Sequence, residues 1–431
     1  MSVAGASPMR DTSAPPGAAV AQQPGASART SLRLDAIDSI RAGAMMIGVL
    51  FHACAPYMHA PMRNFIMPLQ EQAEGRVIDV VFWIVHAVYM PAFFVVSGFV
   101  SFLLLQRKGS DGFIRDRSRR LLLPLALSYF CVLPVMYPVW SWGWVVRGWA
   151  SWRHVYLLHF GPDIERNLWG LMHLWFIEYL FVYAATLWAL SRVAWAWPGL
   201  RMLARPWLLI VLPVAAACVA ADTHWFLDFR TAYVPDWRML IYYGMFFAWG
   251  IAISSRYRAD PKGGLRPFTR WWPAALPVAI ASGYWLVRII LGSTYESPHG
   301  LREACPAAWS ESAKSLAAAL VVFAAASTWV IIGVVVRFTG PAGKVRKFLV
   351  DAAYWTYLTH LFWVGVGLML LHWTPLAAEL KVLLVSALAW GGSLGTFALL
   401  RWTWIGNLLG ASRSKTTAPA PANIPAFPRT S

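Results

Sequence analysis

Arg41 and His52 stand eleven residues apart in SIRAGAMMIGVLFHA (residues 39–53), an otherwise apolar run. Ionisable groups inside a bilayer are costly and in general face a cavity or a partner. Histidine changes charge near neutral pH and suits proton transfer. Arginine forms paired hydrogen bonds to phosphate and carboxylate. His86, His173 and Glu178 also stand in apolar stretches, and Arg115, Arg117, Arg119 and Arg120 form a basic run. Each has a plainer reading. A lone membrane histidine often only ties two helices together, Arg41 can snorkel to the surface, and the basic run can serve solely to orient the chain. Metal chemistry has no support: Cys54, Cys131 and Cys218 lie in apolar runs, Cys305 lies in a polar loop, and no CxxC or HExxH spacing occurs.

The elements that position these residues follow from composition. Of the 431 residues, 58% are hydrophobic and 13% charged, against roughly 25% charged in soluble domains. A soluble fold has nowhere to place that excess, so the chain reads as an all-α polytopic membrane protein. Its net charge of +17 is then a property of loops on one side of the bilayer, and no nucleic-acid partner is implied. Residues 1–31 are rich in Ala, Pro, Ser and Gly without an apolar signal-peptide core. They read as a disordered cytoplasmic tail, as do residues 406–431. Residues 32–405 form the membrane domain.

Spans of about 20 apolar residues are expected at 37–59, 77–105, 121–142, 168–191, 206–222, 238–254, 272–291, 313–336, 349–371 and 379–400. The second is long, with a tilt or break expected near Pro91. Basic residues concentrate in the alternate loops 106–120, 192–205, 256–270 and 337–347, while most acids, among them Glu71, Asp163, Asp236 and Glu303, fall in the others. The positive-inside rule therefore predicts ten helices with both termini cytoplasmic, in a bacterial inner membrane. The opposite loops 143–167 and 292–312 have room for short helices, the first Trp-rich and suited to the membrane surface.

Orientation gives depth. At 1.5 Å per residue, His52 lies about 16 Å outward of Arg41, and Glu178 about 7 Å inward of His173. His86 lies about 13 Å below the outer end of the second helix. His52, His86 and Glu178 can therefore share one layer if their helices touch.

Five blocks in order resemble the acyltransferase family 3 membrane proteins. LDAIDSIRAGAMMIGVLFHA carries the Arg-to-His spacing of Arg41 and His52, with Asp38 preceding; MPAFFVVSGFV (90–100), GFIRDRSRRLLLP (112–124), HLWFIEYL (173–180) and YWTYLTH (354–360) complete the set. Within the family, HACAPYM and MLIYYGMFFAWGIAI are most similar to members implicated in succinylating periplasmic glucans.

The resemblance implies an O-acyltransferase. Acyl-CoA, succinyl-CoA or else acetyl-CoA, is its donor substrate with no bound cofactor, and a periplasmic glucan or other glycan is its acceptor. It implies His52 as general base, with Glu178 preferred over Asp38 as its orienting carboxylate, because Asp38 is about 21 Å away along the same helix. It implies that Arg41, Arg117 and Arg120 hold the donor's phosphates. Ser97 is a conceivable acyl carrier, and His86, His173 and His360 are further candidates. The competing class is a transporter or flippase for a glycan or lipid-linked substrate; the absence of an internal repeat weighs against it. Oligomeric state is left open.

Overall fold

In a bilayer, backbone N–H and C=O groups have no water to bind, so apolar segments must satisfy them internally as helices. The computed structural model follows that rule. It describes residues 26–403 apart from 63–64, 169, 194–204, 206, 221–223, 228–231, 262 and 297–309, and has no strand among the described residues. A helix occupies each of the ten expected places: α1 Ala26–Cys54, α2 Val77–Arg117, α3 Leu123–Val146, α4 Trp175–Arg192, α5 Leu208–Ala220, α6 Trp237–Ala259, α7 Arg266–Glu296, α8 Glu311–Phe338, α9 Lys344–Leu371 and α10 Ala378–Leu400. The protein is an all-α polytopic membrane protein. Among the described residues, seven segments are long and apolar enough to cross a membrane, and one of them, Val77–Val146, contains both α2 and α3. With 13 residues, α5 extends only about 20 Å. The polarity of Arg238, Arg256 and Arg258 sets α6 apart.

Local sequence explains most boundaries. The Asp236 carboxylate accepts hydrogen bonds from the N–H groups of Arg238 and Met239, at 2.8 and 3.3 Å, and so starts α6. The Ser310 hydroxyl caps α8 in the same way. Three readings need correction. The stretch 106–120, expected as a loop, is helical and is broken only at Gly109 (φ 69°, ψ 174°). Glycine alone enters that region at no steric cost, and a five-residue π-turn, Ser118–Leu122, then joins α2 to α3. The helix does not stop at Pro91, which lies within α2. Residues 26–31, part of the expected tail, belong to α1; the rest of that tail, the C-terminal tail and most of 292–312 lie outside the described residues. The short helices expected at 143–167 are present as Trp152–Leu157 and Pro162–Leu168.

Helix α2 is the hub. It packs against α1, α4, α6 and α8, while α1 also meets α8, α9 and α10. The α2–α6 crossing is made by two glycines. A Cβ on Gly98 would lie 2.0 Å from the carbonyl oxygen of Phe247, and one on Gly250 would lie 1.9 Å from that of Val95. Small residues drive association in membranes because they admit this backbone approach. Large apolar side chains on α3, α7 and α10, such as Phe130, Ile280 and Leu399, remain exposed at the periphery, as lipid-facing residues should.

The connection from α1 to α2 is stapled over one end of the bundle. The Glu71 carboxylate accepts from His372 Nδ1 at 2.5 Å and from Lys381 Nζ at 2.7 Å, with Lys381 almost fully buried. Removing one partner of a buried pair leaves the other charge uncompensated, at about 3–5 kcal/mol. Glu71→Gln is therefore expected to destabilise by about 3 kcal/mol, near the lower bound because Glu71 keeps some solvent contact. Thermal unfolding in lipid nanodiscs measures this; an unchanged midpoint would show that the staple contributes nothing.

Candidate active site

Helical geometry alone puts Arg41, Met45, Gly48 and His52 on one stripe of α1, because their spacings of four, three and four follow the helical repeat. Between the two polar residues, Ala44 and Gly48 keep that side slim. His52, near the C-terminal end of α1, meets three other histidines. His86 comes from α2, His173 from the 3-10 turn Met172–Leu174 that leads into α4, and His360 from the middle of α9. All four line one cavity of about 50 Å³, with Ala44, Met45, Gly48 and Phe51 among the other walls. Among the described residues, no carboxylate, lysine or arginine lines it.

The rings sit close together. The His52 and His360 centroids are 5.0 Å apart, and those of His173 and His360 are 5.4 Å apart. Phe51 stacks on His86 at 5.2 Å, and Phe65, carried by the stapled connection, stacks on His52 at 5.7 Å. The Phe65 contact ties the Glu71 staple to the site.

Hydrogen bonds distinguish the four. A carbonyl oxygen only accepts, so a ring nitrogen bonded to one must carry the proton. His86 donates from Nε2 to Phe226 O at 3.3 Å, and His173 donates from Nε2 to Leu358 O at 3.3 Å. His360 donates from Nδ1 to Tyr357 O at 2.7 Å. Each therefore keeps a lone pair on its second nitrogen, and those three nitrogens are buried without a partner. His52 has no backbone carbonyl partner, and its Nδ1 is likewise buried and unpartnered. The array can accept protons from a hydroxyl group brought into the cavity. Among the described residues, no group of three His, Cys, Asp or Glu side chains is arranged to hold a metal ion.

Backbone geometry holds His173 in place. Met172 adopts φ 46°, two residues after Gly170 at φ 155°, and a non-glycine residue persists in the left-handed region only where its surroundings enforce it. Here the Tyr357 hydroxyl donates to the carbonyl of His173, locking the turn onto α9.

A second cluster lies at the other end of the α1 stripe. Arg41 pairs with Asp38 at 3.1 Å. Arg117 lies within electrostatic range of both Arg41 and Arg120, and its Nε is buried without a partner. Arg120 and Lys108 share Asp116, at 3.4 and 2.5 Å. The π-turn after Arg117 presents Arg117 and Arg120 together, and such turns are frequent at functional sites. Three guanidinium groups and Lys108 outnumber the two carboxylates among them, Asp38 and Asp116, and leave a net positive site for a multiply charged anion.

Of the candidates taken from sequence, the structure gathers His52, His86, His173 and His360 at one cavity, and Arg41, Arg117 and Arg120 at another place. Glu178, half-buried on α4, does not line the cavity, so of His52, His86 and Glu178 only the two histidines reach it. Ser97, on α2 about 16 Å along from His86, does not line it either. Asp38 is engaged with Arg41. The proximity of His360 to His52 went unforeseen, although counting depth along α9 would have placed His360 about 16 Å from the Leu371 end, near the level of His86.

A family model described as an acyltransferase domain, that of acyltransferase family 3, matches residues 34–405. No curated protein and no solved structure matches the chain.

Proposed function

Since the chain belongs to acyltransferase family 3, we propose that it moves a short acyl group, succinyl or acetyl, from cytoplasmic acyl-CoA to a hydroxyl of a periplasmic glucan or other extracytoplasmic glycan, across a bacterial inner membrane. The observation that carries this reading is the pairing of two sites on one helix. The arginine cluster begins at Arg41, and the histidine cavity is reached about 16 Å further along α1, with Ala44 and Gly48 between them.

Arg41, Arg117 and Arg120 bind the phosphates of the CoA moiety, and Asp38 holds the Arg41 guanidinium. The pantetheine arm lies along the α1 stripe and delivers the thioester to the cavity. His52 takes the proton from the acceptor hydroxyl as its oxygen attacks the thioester carbonyl carbon. Collapse of the tetrahedral adduct breaks the C–S bond, and the same proton passes to the departing CoA thiolate. His86 and His173 offer lone pairs that orient the acceptor hydroxyls. Direct transfer suffices, so no acyl-enzyme on Ser97 is invoked.

Proteoliposomes test the reading. With labelled succinyl-CoA or acetyl-CoA on the arginine side only and a β-glucan oligosaccharide on the other, label is expected in ester linkage to the glucan. Glucan crossing unmodified would replace the transferase reading with a flippase. Arg117→Ala and Arg41→Ala are expected to raise the donor KM about tenfold or more with kcat within about twofold, since each removes a charge-assisted contact made equally in ground and transition states. A fall in kcat at unchanged KM would move these arginines out of donor binding.

A further inference from the structure

Resting on the reading of His52 as base, we infer that His360 is the positioning residue for His52, filling the role that a carboxylate fills in a catalytic triad. A base that takes a proton at one ring nitrogen must hold the other in a fixed hydrogen bond, or its ring turns and its tautomer scrambles. Among the described residues, no carboxylate at the cavity does this. Among the described residues, the groups that titrate around it are the four histidines with Tyr89, Tyr243 and Tyr357.

His360 is built for the task. Its Nδ1–H is committed to the Tyr357 carbonyl at 2.7 Å, with Thr356 O at 3.2 Å as a second acceptor, so its Nε2 must carry the lone pair. That Nε2 is buried without a partner, and so is Nδ1 of His52. The ring centroids are 5.0 Å apart, close to the separation of two imidazoles joined by one N–H···N bond of about 2.9 Å. Rotation of the rings, now 46° out of plane with each other, lets His52 Nδ1–H donate to His360 Nε2. One bond then satisfies two buried orphans, which are otherwise expensive. It also fixes the His52 tautomer with its Nε2 lone pair left for the acceptor hydroxyl. His86 and His173 do not share the arrangement with His360, because each has its own backbone carbonyl partner, and His52 is the member free to donate.

Three variants of the full-length protein in nanodiscs, His360→Ala, His360→Asn and His360→Gln, separate positioning from structure, assayed by CoA thiol release from acetyl-CoA and succinyl-CoA with a β-glucan oligosaccharide. His360→Asn keeps a donor at the Nδ1 position for Tyr357 but presents nothing at Nε2. His360→Gln places an amide oxygen near the Nε2 position. The Ala and Asn variants are expected to lose about 10²-fold in kcat with donor KM within about twofold, and Gln to recover about tenfold of that loss. His52→Asn combined with His360→Asn is expected to be no worse than His52→Asn alone. A wild-type rate in the Asn variant overturns the assignment, as does a Gln variant as slow as Ala. If His52→Asn is inactive while the His360 variants run at the wild-type rate, this inference alone fails; if His52→Asn stays active, the reading of His52 as base fails with it. Should the Ala variant fail to insert, the Asn–Gln pair still decides, since both retain a polar carboxamide and differ in whether it reaches the Nε2 position.

Discussion

Replacing His52 with Asn is expected to lower kcat for acyl transfer about 10³-fold, within the 10²–10⁴ range of a positioned general base. Donor KM should stay within about twofold. The reason for the split is distance: the arginine cluster begins at Arg41, about 16 Å down the same helix, so a change at His52 leaves phosphate binding intact. Asn is preferred to Ala because Phe65 stacks on the His52 ring, and a deleted ring would leave a void under that contact. Two measurements check the result. Mass spectrometry of extracytoplasmic glycans from cells carrying the variant should show loss of the ester-linked acyl group, and thermal unfolding in nanodiscs should match the wild-type protein. Acylation that persists in a folded, inserted variant would remove His52 from the chemistry.

The largest structural effect is expected at the α2–α6 crossing. Gly250→Ala puts a methyl group 1.9 Å from the carbonyl oxygen of Val95 and 2.8 Å from the backbone nitrogen of Phe99. Backbone atoms cannot rotate aside as a flexible side chain can, so the helices must separate. Overpacking of a closed interface costs about 1–3 kcal/mol and at times more; with a clash this deep against main chain, about 3 kcal/mol or above is expected, as is Gly98→Ala for the reciprocal contact with Phe247. Gly391→Ala on α10 is the control: a Cβ there meets nothing within 4 Å, and Ala in a helix is better than Gly by roughly 0.5–1 kcal/mol. Unfolding midpoints for the three variants check the ordering. A Gly250→Ala protein as stable as the control would mean the crossing is looser than these distances imply. Because α2 carries His86 and is the helix against which α1 packs, a displaced crossing should also lower transfer activity.

The SGF of MPAFFVVSGFV illustrates how far sequence reasoning reaches. As a motif it resembled a family block and suggested Ser97 as a candidate. The structure gives its glycine a mechanical part, since Gly98 is where two backbones touch. Nothing local in the sequence distinguishes that glycine from Gly391, which touches nothing. The stretch 106–120 failed for a related reason. Its charges mark a surface segment, but charge density cannot separate a polar loop from a helix that continues past the membrane edge, and only the φ of Gly109 reveals where the turn falls.

What the sequence determined by itself was everything set by distance along one chain segment. Apolar length fixed the ten helical places, because unpaired backbone groups are intolerable in a bilayer. Helical rise and repeat put Arg41 and His52 on one stripe of α1, about 16 Å apart. What only the tertiary structure decided was rotation and neighbourhood: which face of each helix turns inward, and which helices touch. Depth arithmetic expects Glu178 at the level of His52 and His86, yet the cavity is walled by His86, His173 and His360 and not by Glu178. Those three come from elements separated by up to hundreds of residues, and close side-chain packing between α1, α2 and α9 brings them to within about 5 Å of one another's rings or of a shared phenylalanine. Level is a local property of a helix, whereas contact depends on the shapes of every helix packed around it.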